Sequence, residues 1–370
     1  MAIAVPSFAK INLGLHIGAL REDGFHGLRT IYQTIALHDV VQVSLERGSG
    51  IEIRCEDPRV PKDSTNTCYR IVDLAMGALK ARGRVVVEIE KQLPIQGGLG
   101  GASGNAVSAM LALEGALKKQ LSGADRLRIA AEVGSDLPLF LIGGAVLGVG
   151  RGEEVYPLPD LPIVACVIAL PEIAVSTPTA FADWDELISA TCHSEPPSGG
   201  EESAVGTGKA DSSRLSSAQS LGMTDLSLET SRELKNPTPS DRMSEFSREV
   251  SAWLTAASSK GVRKSGVSAK GGGRAENLLL DLVHTRIEND FEKVVFPKHP
   301  ELNEVKRVLE RSGALYASLS GSGSAVYGLF ESREKAVRAA QKLEKQGTRA
   351  VFTRTLTRRE YWKKLSAFSS

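Results

Sequence analysis

Residues 93–105 have the sequence LPIQGGLGGASGN and lead directly into an apolar run from Ala106 to Leu117. The run is typical of a helix, and five of the positions before it are glycine. Because glycine has no Cβ, the backbone N–H groups of such a loop can turn toward a common centre. The helix that follows adds unpaired N–H donors and the positive end of its dipole. The stretch therefore predicts an anion cradle, and phosphate is the anion that we expect it to bind.

Two better-known phosphate loops do not fit this stretch. A P-loop requires a Lys after its last glycine, and neither Gly101 nor Gly104 is followed by one. A dinucleotide-binding fingerprint requires a third glycine where Ser103 stands, and a strand that ends at the first glycine. A flexible surface loop is the remaining alternative, and the helix directly after the glycines argues against it.

The overall composition limits the number of domains and the classes of partner. A chain of 370 residues is long enough for about two domains. Its 45 Lys and Arg against 44 Asp and Glu give a net charge of +1, so no global field favours nucleic acid or an anionic membrane. The four cysteines show no CxxC spacing, which is typical of thiols in a reducing compartment. Without a membrane-length apolar run or a signal-peptide pattern, we expect a soluble cytoplasmic protein.

Hydrophobic periodicity predicts a strand-rich first domain. Alternation over residues 11–17 indicates a strand that places Lys10 and Asn12 on the face opposite its apolar side chains. The carboxylate of Asp136 has mainly apolar neighbours in the sequence, so if it is buried it needs either a partner or a function. The remaining predicted elements of this half are strands over residues 3–5, 40–45 and 85–90 and helices over 69–82 and 125–133.

The second half of the chain indicates a second domain and a long insertion. Between about residues 194 and 241 the chain is rich in Ser, Gly, Glu, Thr and Pro, which predicts a disordered insertion. A glycine-rich piece at 269–274 predicts a hinge, and the turn SGSGS at 320–324 fits either a tight bend or a ligand contact. Around these lie strands predicted over 164–169, 316–319, 325–330 and 349–356 and helices over 301–311 and 333–346. Their order is typical of a ferredoxin-like α+β sandwich, so we expect domains at 1–160 and 161–370.

Three motifs in this order and at these distances resemble those of the GHMP small-molecule kinases. They are PSFAKINL at residues 6–13, the glycine-rich stretch at 94–106, and LSGSGSA at 319–325. The blocks DGFH at 23–26, GSDLP at 134–138 and NDFE at 289–292 add to the resemblance. It covers roughly residues 5–181 and 276–330, and it implies an α+β, two-domain GHMP kinase fold. In that fold the N-terminal domain is like ribosomal protein S5 domain 2, and the C-terminal domain is ferredoxin-like.

The resemblance also implies an activity and its cofactors. It implies a kinase that uses ATP and Mg²⁺ to phosphorylate the 2-hydroxyl of a CDP-linked methylerythritol in isoprenoid precursor biosynthesis. Asp136 would be the catalytic base and Lys10 its electrostatic partner, while Ser103 would contact both nucleotide and metal. The residues implied for ATP binding are Pro94, Ile95, Gln96, Gly97, Gly98, Leu99, Gly100, Gly101, Ala102, Ser103 and Gly104.

Four residues are implied for binding the acceptor, and two positions depart from the family pattern. Asn12 would lie beside Lys10, Phe25 and Phe181 would stack on the cytosine, and His26 would contact its edge. Phe25 stands where the family usually has Tyr, which keeps stacking and loses a hydroxyl. Gly104 replaces a second Ser in the phosphate loop, so one polar contact to nucleotide or metal is in doubt.

Two other functions stay open at this point. One is another GHMP kinase, of homoserine or mevalonate type, against which the Phe25–His26 pair argues. The other is a nucleotide-binding protein without turnover, against which Lys10 and Asp136 argue. The expected partner is a small-molecule substrate, with neither nucleic acid nor membrane, and a homodimer is left open.

Overall fold

The computed structural model describes residues 2–95, 97–193 and 288–367. Two β-sheets share an apolar core, and helices cover the outer face of each sheet. This architecture confirms the α+β prediction. The predicted insertion at 194–241 and the predicted hinge at 269–274 lie outside the described residues. Of the helices that are described, none is long and apolar enough to cross a membrane.

The strands of the first sheet are β1 Ala2–Leu20, β2 His26–Glu46, β3 Gly50–Cys55, β4 Arg84–Glu90, β5 Ala145–Val149 and β6 Glu154–Pro157. Their order in the sheet is β3-β4-β2-β5-β6, with β1 paired to β2 beside this path. All pairings are antiparallel except that of β3 with β4. The helices of this half are α1 Thr67–Ala78, α2 Gly101–Leu117 and α3 Gly123–Val133, together with a 3₁₀ helix, Pro138–Leu141.

Strand β1 joins the two short strands predicted at 3–5 and 11–17 into one element. Its register against β2 shifts between Phe8 and Lys10 and again between Asn12 and Gly14. Such bulges redirect side chains and are common next to active sites. Ile11 lies in the core between the two sheets, while Lys10 and Asn12 contact each other on the opposite face. The predicted shared face of Lys10 and Asn12 is therefore confirmed.

The strands of the second sheet are β7 Ala165–Leu170, β8 Tyr316–Leu319, β9 Val326–Phe330 and β10 Arg349–Arg354. The sheet is antiparallel, with strand order β10-β7-β9-β8. The helices of this half are α4 Thr177–His193, α5 Glu292–Lys298, α6 Pro300–Arg311 and α7 Arg333–Lys345. The strands and helices predicted from residue 301 onward agree with these bounds to within two residues.

A last helix, α8 Arg358–Ala367, was not predicted. It leaves the second sheet and packs in the core of the first, where Tyr361 and Leu365 are buried. The Tyr361 hydroxyl donates to the Phe140 carbonyl at 2.6 Å, just after the loop that carries Asp136. The predicted domain boundary between residues 160 and 161 stays a prediction. Helix α8 belongs to the second predicted domain by its position in the chain, but it packs on the sheet of the first.

Candidate active site

The glycine-rich loop forms one wall of a cavity at the start of α2. Gly100 is the N-cap residue of α2, and no side chain caps the helix. The first N–H groups of α2 and its dipole are thus available to an anion. The cavity has a volume of about 460 Å³ and is lined by Pro94, Ile95 and residues 97–103. Gln96, which was also predicted to bind ATP, lies outside the described residues.

Two positions of this loop require glycine. Gly98 and Gly100 have φ angles of +71° and +69°, in the left-handed region. A Cβ on Gly98 would lie 2.0 Å from the Ser320 carbonyl oxygen, and one on Gly100 would lie 2.9 Å from the Phe140 ring. These glycines therefore allow the backbone of the loop to lie directly against neighbouring elements.

Asp39, which the sequence analysis missed, fixes the beginning of the loop. Its fully buried carboxylate accepts from the backbone N–H groups of Gln92 and Leu93, both at 2.7 Å. It also accepts from Asn105 Nδ2 at 3.0 Å and from Lys91 Nζ at 2.5 Å. One carboxylate thus ties β2 to both ends of the loop. The only signal in the sequence is an acidic residue directly before an apolar strand, which is too common to be specific.

Lys10 lies behind the loop with its ammonium group buried. Lys10 Nζ donates to Asn12 Oδ1 at 2.7 Å and to the Gly98 carbonyl at 2.8 Å. Asn12 Nδ2 in turn donates to Thr30 Oγ1 at 2.7 Å, so both polar ends of the Asn12 amide are engaged. Burial lowers the pKa of Lys10 from 10.5 to about 8, and the nearby negative charge of Asp136 opposes this shift. Lys10 is therefore a buried cation whose ammonium group contacts the glycine loop.

Asp136 lies on the other side of the first turn of α2. Ser103 Oγ donates to Asp136 Oδ1 at 2.6 Å, and the carboxylate is half-buried. Within the described residues no ion pair joins Asp136 directly to Lys10; the two are linked through the glycine loop. The structure thus brings Lys10, Ser103 and Asp136 to the same loop, and their roles stay predictions.

The turn at residues 320–324 packs on the glycine loop from the second sheet. Ser320 Oγ donates to the Gly98 carbonyl at 3.0 Å, and Ala325 N donates to the Gly97 carbonyl at 3.2 Å. Asn289 Nδ2 holds this turn from behind by donating to the Leu319 and Gly321 carbonyls, each at 2.8 Å. The turn at 320–324, the third of the sequence motifs, therefore supports the glycine loop and, through the Gly98 carbonyl, the Lys10 side chain.

Gly104 faces β1 and does not line the cavity. A Cβ there would lie 2.9 Å from Ser7 Oγ and 3.0 Å from the Phe8 carbonyl oxygen. The helix can approach β1 this closely because residue 104 has no side chain. The absence of a second Ser at this position consequently removes no polar group from the wall of the cavity, and its predicted contact with ATP stays a prediction.

The structure brings together two of the three rings predicted around the base. The rings of His26 and Phe181 are stacked, with centroids 5.0 Å apart and 4° between their planes. Phe25 is 50% exposed and packs against Arg151, whose guanidinium carbon lies 4.9 Å from the ring centre. Among the described residues Phe25 makes no ring contact with Phe181. The predicted stacking of Phe25 and Phe181 on the cytosine therefore stays a prediction.

Ser103, beside Asp136, fits a Mg²⁺ ion that also binds phosphate oxygens. Mg²⁺ commonly takes one or two protein oxygens and completes its shell with water and substrate phosphates. The Ser103 hydroxyl supplies such an oxygen at the wall of the cavity, and the Asp136 carboxylate that accepts from it adds negative charge nearby. In residues 2–95, 97–193 and 288–367 no group of three or more His, Cys, Asp or Glu side chains could hold a metal ion by itself.

Two family models match the chain at the elements that build this cavity. Residues 66–144 match the GHMP kinases N terminal domain, which here includes α1, the glycine loop and Asp136. Residues 274–349 match the GHMP kinases C terminal model, which here includes Asn289 and the turn at 320–324. Fold and site together define a small-molecule kinase of the GHMP type.

Comparison with curated proteins and solved structures narrows this class. A 4-diphosphocytidyl-2-C-methyl-D-erythritol kinase of Solibacter usitatus is 33% identical over 92% of this chain and 85% of that relative. One of Acaryochloris marina is 31% identical over 91% of this chain and 89% of that relative. A crystal structure of 4-(cytidine 5'-diphospho)-2C-methyl-D-erythritol kinase has a TM-score of 0.62 at 25% identity, covering 95% of this chain and 99% of that one. The chain belongs to the 4-diphosphocytidyl-2-C-methyl-D-erythritol kinase family.

Proposed function

We propose that this protein transfers the γ-phosphoryl group of ATP to the 2-hydroxyl of 4-diphosphocytidyl-2-C-methyl-D-erythritol, a step toward isopentenyl diphosphate. The relatives that cover most of the chain carry the name of this kinase. One structural observation carries the proposal. Lys10, Asp136 and the turn at 320–324 come from distant parts of the chain and all bond to the glycine loop and the first turn of α2, which line one cavity.

The glycine loop and the start of α2 hold the triphosphate. The uncapped N–H groups of α2 and its dipole favour the phosphate oxygens, and Gly98 and Gly100 let the backbone approach them closely. Ser103 would hold the Mg²⁺, which would neutralise phosphate charge there. This arrangement positions the γ-phosphoryl group next to Asp136.

Asp136 is the base in this proposal, and Lys10 stabilises the developing charge. The acceptor oxygen attacks the γ-phosphorus while its proton passes to the Asp136 carboxylate. The bond from the γ-phosphorus to the bridging oxygen breaks, and ADP leaves. With a pKa of about 8, Lys10 keeps its charge at neutral pH, and burial leaves that charge weakly screened.

The base of the acceptor binds at the His26–Phe181 pair. At 5.0 Å between centroids the two rings contact each other, so the base stacks on an outer face of the pair and not between the rings. Phe25, on the hairpin next to His26, offers a second exposed aromatic face. Asn12 acts mainly by orienting Lys10, since both ends of its amide are occupied.

The proposal includes a cytoplasmic location. The thiols of Cys55, Cys68 and Cys166 are free, and free thiols are typical of a reducing compartment. Burial raises the pKa of the Cys68 thiol to about 12, so this thiol stays protonated and unreactive.

An acceptor panel tests the proposed function. The full chain is incubated with ATP, Mg²⁺ and one alcohol at a time: the CDP-linked methylerythritol, homoserine or mevalonate. ADP release is expected only with the CDP-linked acceptor. Turnover with homoserine or mevalonate would move the protein to another GHMP activity, and ATP binding without turnover of any acceptor would favour a non-catalytic role.

A further inference from the structure

A chain of three hydrogen bonds runs from the Lys10 ammonium group to the backbone of β1 by way of β2. Lys10 Nζ donates to Asn12 Oδ1 at 2.7 Å, and Asn12 Nδ2 donates to Thr30 Oγ1 at 2.7 Å. Thr30 Oγ1 in turn donates to the Gly14 carbonyl at 2.8 Å. The side chains of Lys10, Asn12 and Thr30 are between 0% and 5% exposed. Because they are buried, water does not replace a hydrogen bond that one of them loses.

The two ends of this chain fix the direction of every hydrogen bond in it. An ammonium group can only donate hydrogen bonds, and a carbonyl can only accept them. The single proton of the Thr30 hydroxyl is used on the Gly14 carbonyl, so only a lone pair of Oγ1 faces the Asn12 amide. Asn12 must therefore turn its NH₂ group toward Thr30 and its oxygen toward Lys10.

The backbone of Asn12 is held separately from its side chain. The Tyr327 hydroxyl, on β9, donates to the Asn12 carbonyl at 2.7 Å. Loss of the Thr30 hydroxyl would thus leave this backbone bond in place and act on the Asn12 side chain. The buried NH₂ group would lose its acceptor, which costs free energy. A rotation of the side chain that relieves this cost also takes Oδ1 away from Lys10.

We propose that Thr30 is a positioning residue for phosphoryl transfer, whose hydroxyl holds the Asn12 amide so that Oδ1 fixes the Lys10 ammonium group. The inference rests on the proposed function, in which Lys10 stabilises the developing charge. An ammonium group has three N–H donors, and in the described part of the chain Asn12 Oδ1 and the Gly98 carbonyl accept two of them. With two directions fixed, the third N–H has one direction left, which in the proposed function is toward a phosphoryl oxygen.

Two other groups act on the charge of Lys10. Burial lowers the pKa of Lys10 to about 8, and the negative charge of Asp136 raises it. The ring centre of Tyr32 lies 5.7 Å from Lys10 Nζ, and burial raises the pKa of Tyr32, so this ring stays neutral. A substitution of Thr30 changes neither group, and its effect on Lys10 reports the bond from Asn12.

The pKa of Lys10 measures the role of Thr30 without any activity. In the full chain labelled with ¹³C-lysine, the Cε signal of Lys10 is titrated from pH 6 to 10 and is assigned by its loss in Lys10→Met. Thr30→Val keeps the shape of the side chain and removes the hydroxyl. We expect the acid dissociation constant of Lys10 to be roughly tenfold larger in Thr30→Val than in the wild type, because the charged form loses an acceptor. Thr30→Ser keeps the hydroxyl and should restore the wild-type titration.

Thr355→Val is the matched control. Thr355 is 1% exposed, and its hydroxyl also accepts from an N–H group, that of Val164 at 2.8 Å, and donates to a carbonyl, that of Pro162 at 3.1 Å. This control removes the same two kinds of hydrogen bond, so it should lower the Tm as Thr30→Val does and leave the titration of Lys10 unchanged. A wild-type titration of Lys10 in Thr30→Val, or an equal shift in Thr355→Val, overturns the inference. Should Thr30→Val fail to fold, Thr30→Ala also removes the hydroxyl and is compared in the same way.

Phosphoryl transfer provides the functional measurement. In Thr30→Val the kcat with the CDP-linked acceptor should fall roughly tenfold at pH 7, while the KM for ATP stays unchanged. Thr30→Ser should restore the kcat, and Thr355→Val should keep it. A lower pKa of Lys10 with an unchanged kcat would refute the link to transfer. If the wild type turns over no acceptor at all, the proposed function fails, and the titration still decides whether Thr30 acts on Lys10.

Discussion

Gly98→Ala is expected to separate the glycine loop from the turn at 320–324. The new Cβ would lie 2.0 Å from the Ser320 carbonyl oxygen and 3.0 Å from that of Gly323. Both obstacles are backbone atoms, so no side-chain rotation relieves the clash. To restore ordinary contact at 3.4 Å the Ser320 carbonyl must retreat by about 1.4 Å. That movement would break the hydrogen bond from Ser320 Oγ to the Gly98 carbonyl.

Two contributions set the size of the effect. A side chain at φ +71° costs about 1–2 kcal/mol, and overpacking of a close contact costs about 1–3 kcal/mol. Together they lower the free energy of unfolding by roughly 2–5 kcal/mol. At about 2.1 cal/mol/K of unfolding entropy per residue, this corresponds in a chain of 370 residues to a fall in Tm of roughly 3–6 °C. Because the loop also supports Lys10, we expect the KM for ATP to rise about tenfold or more.

Thermal unfolding and steady-state kinetics at varied ATP measure both effects. Gly77→Ala is the control, because Gly77 lies in α1 with nothing within 4 Å of a new Cβ. There the substitution should leave the KM for ATP unchanged and raise stability by up to about 1 kcal/mol. Wild-type Tm and wild-type KM in Gly98→Ala would refute the close approach of the loop and the turn.

Three further predictions follow from other buried groups. Because the pKa of Lys10 is lower in the folded chain, the unfolded chain binds more protons between pH 8 and 10.5. In that pH range the free energy of unfolding of the wild type should rise by about 3 kcal/mol relative to that of Lys10→Met. The kcat should fall above pH 8, because Lys10 loses its charge there. A flat difference in urea unfolding between these two proteins would contradict the burial. Asp39→Ala should lower the free energy of unfolding by about 3–5 kcal/mol, because it leaves the Lys91 ammonium and two backbone N–H groups without their acceptor. Glu331→Ala, which removes an exposed carboxylate paired with Lys335, should leave the free energy of unfolding almost unchanged. Phe181→Ala should lower kcat/KM for CDP-linked and UDP-linked acceptors alike, by roughly tenfold, and a change in their ratio would assign selectivity to stacking.

Local patterns predicted much of the fold and the parts of the site that lie within one element. The alternation in β1 placed Lys10 beside Asn12, and the glycines followed by an apolar run predicted the loop and α2. The long strand β2 was only partly predicted, over 40–45. Its first half buries Thr30 and Gln33, whose side chains bond to Gly14 and Leu356 carbonyls, so the apolar alternation is lost.

Contacts between distant segments could not be predicted in this way. Asp39 accepts from residues far away in the chain, at Gln92 and Leu93, and nothing in its own neighbourhood marks it. The helix α8 is short and charged on its outer side, and it is stabilised by packing on the first sheet. Phe25 likewise packs against Arg151, which lies in the connection between β5 and β6, so the position of its ring could not be predicted from its own segment.

The proposed phosphoryl-transfer site consists of Asp136 and the glycine loop. Single-turnover transfer from labelled ATP to the CDP-linked acceptor, compared between wild type and Asp136→Asn, measures the contribution of Asp136. We expect Asp136→Asn to bind ATP with an unchanged Kd and to transfer the phosphoryl group slower by a factor on the order of 10² to 10⁴. Transfer at the wild-type rate by Asp136→Asn would remove Asp136 from the mechanism and contradict the proposed site.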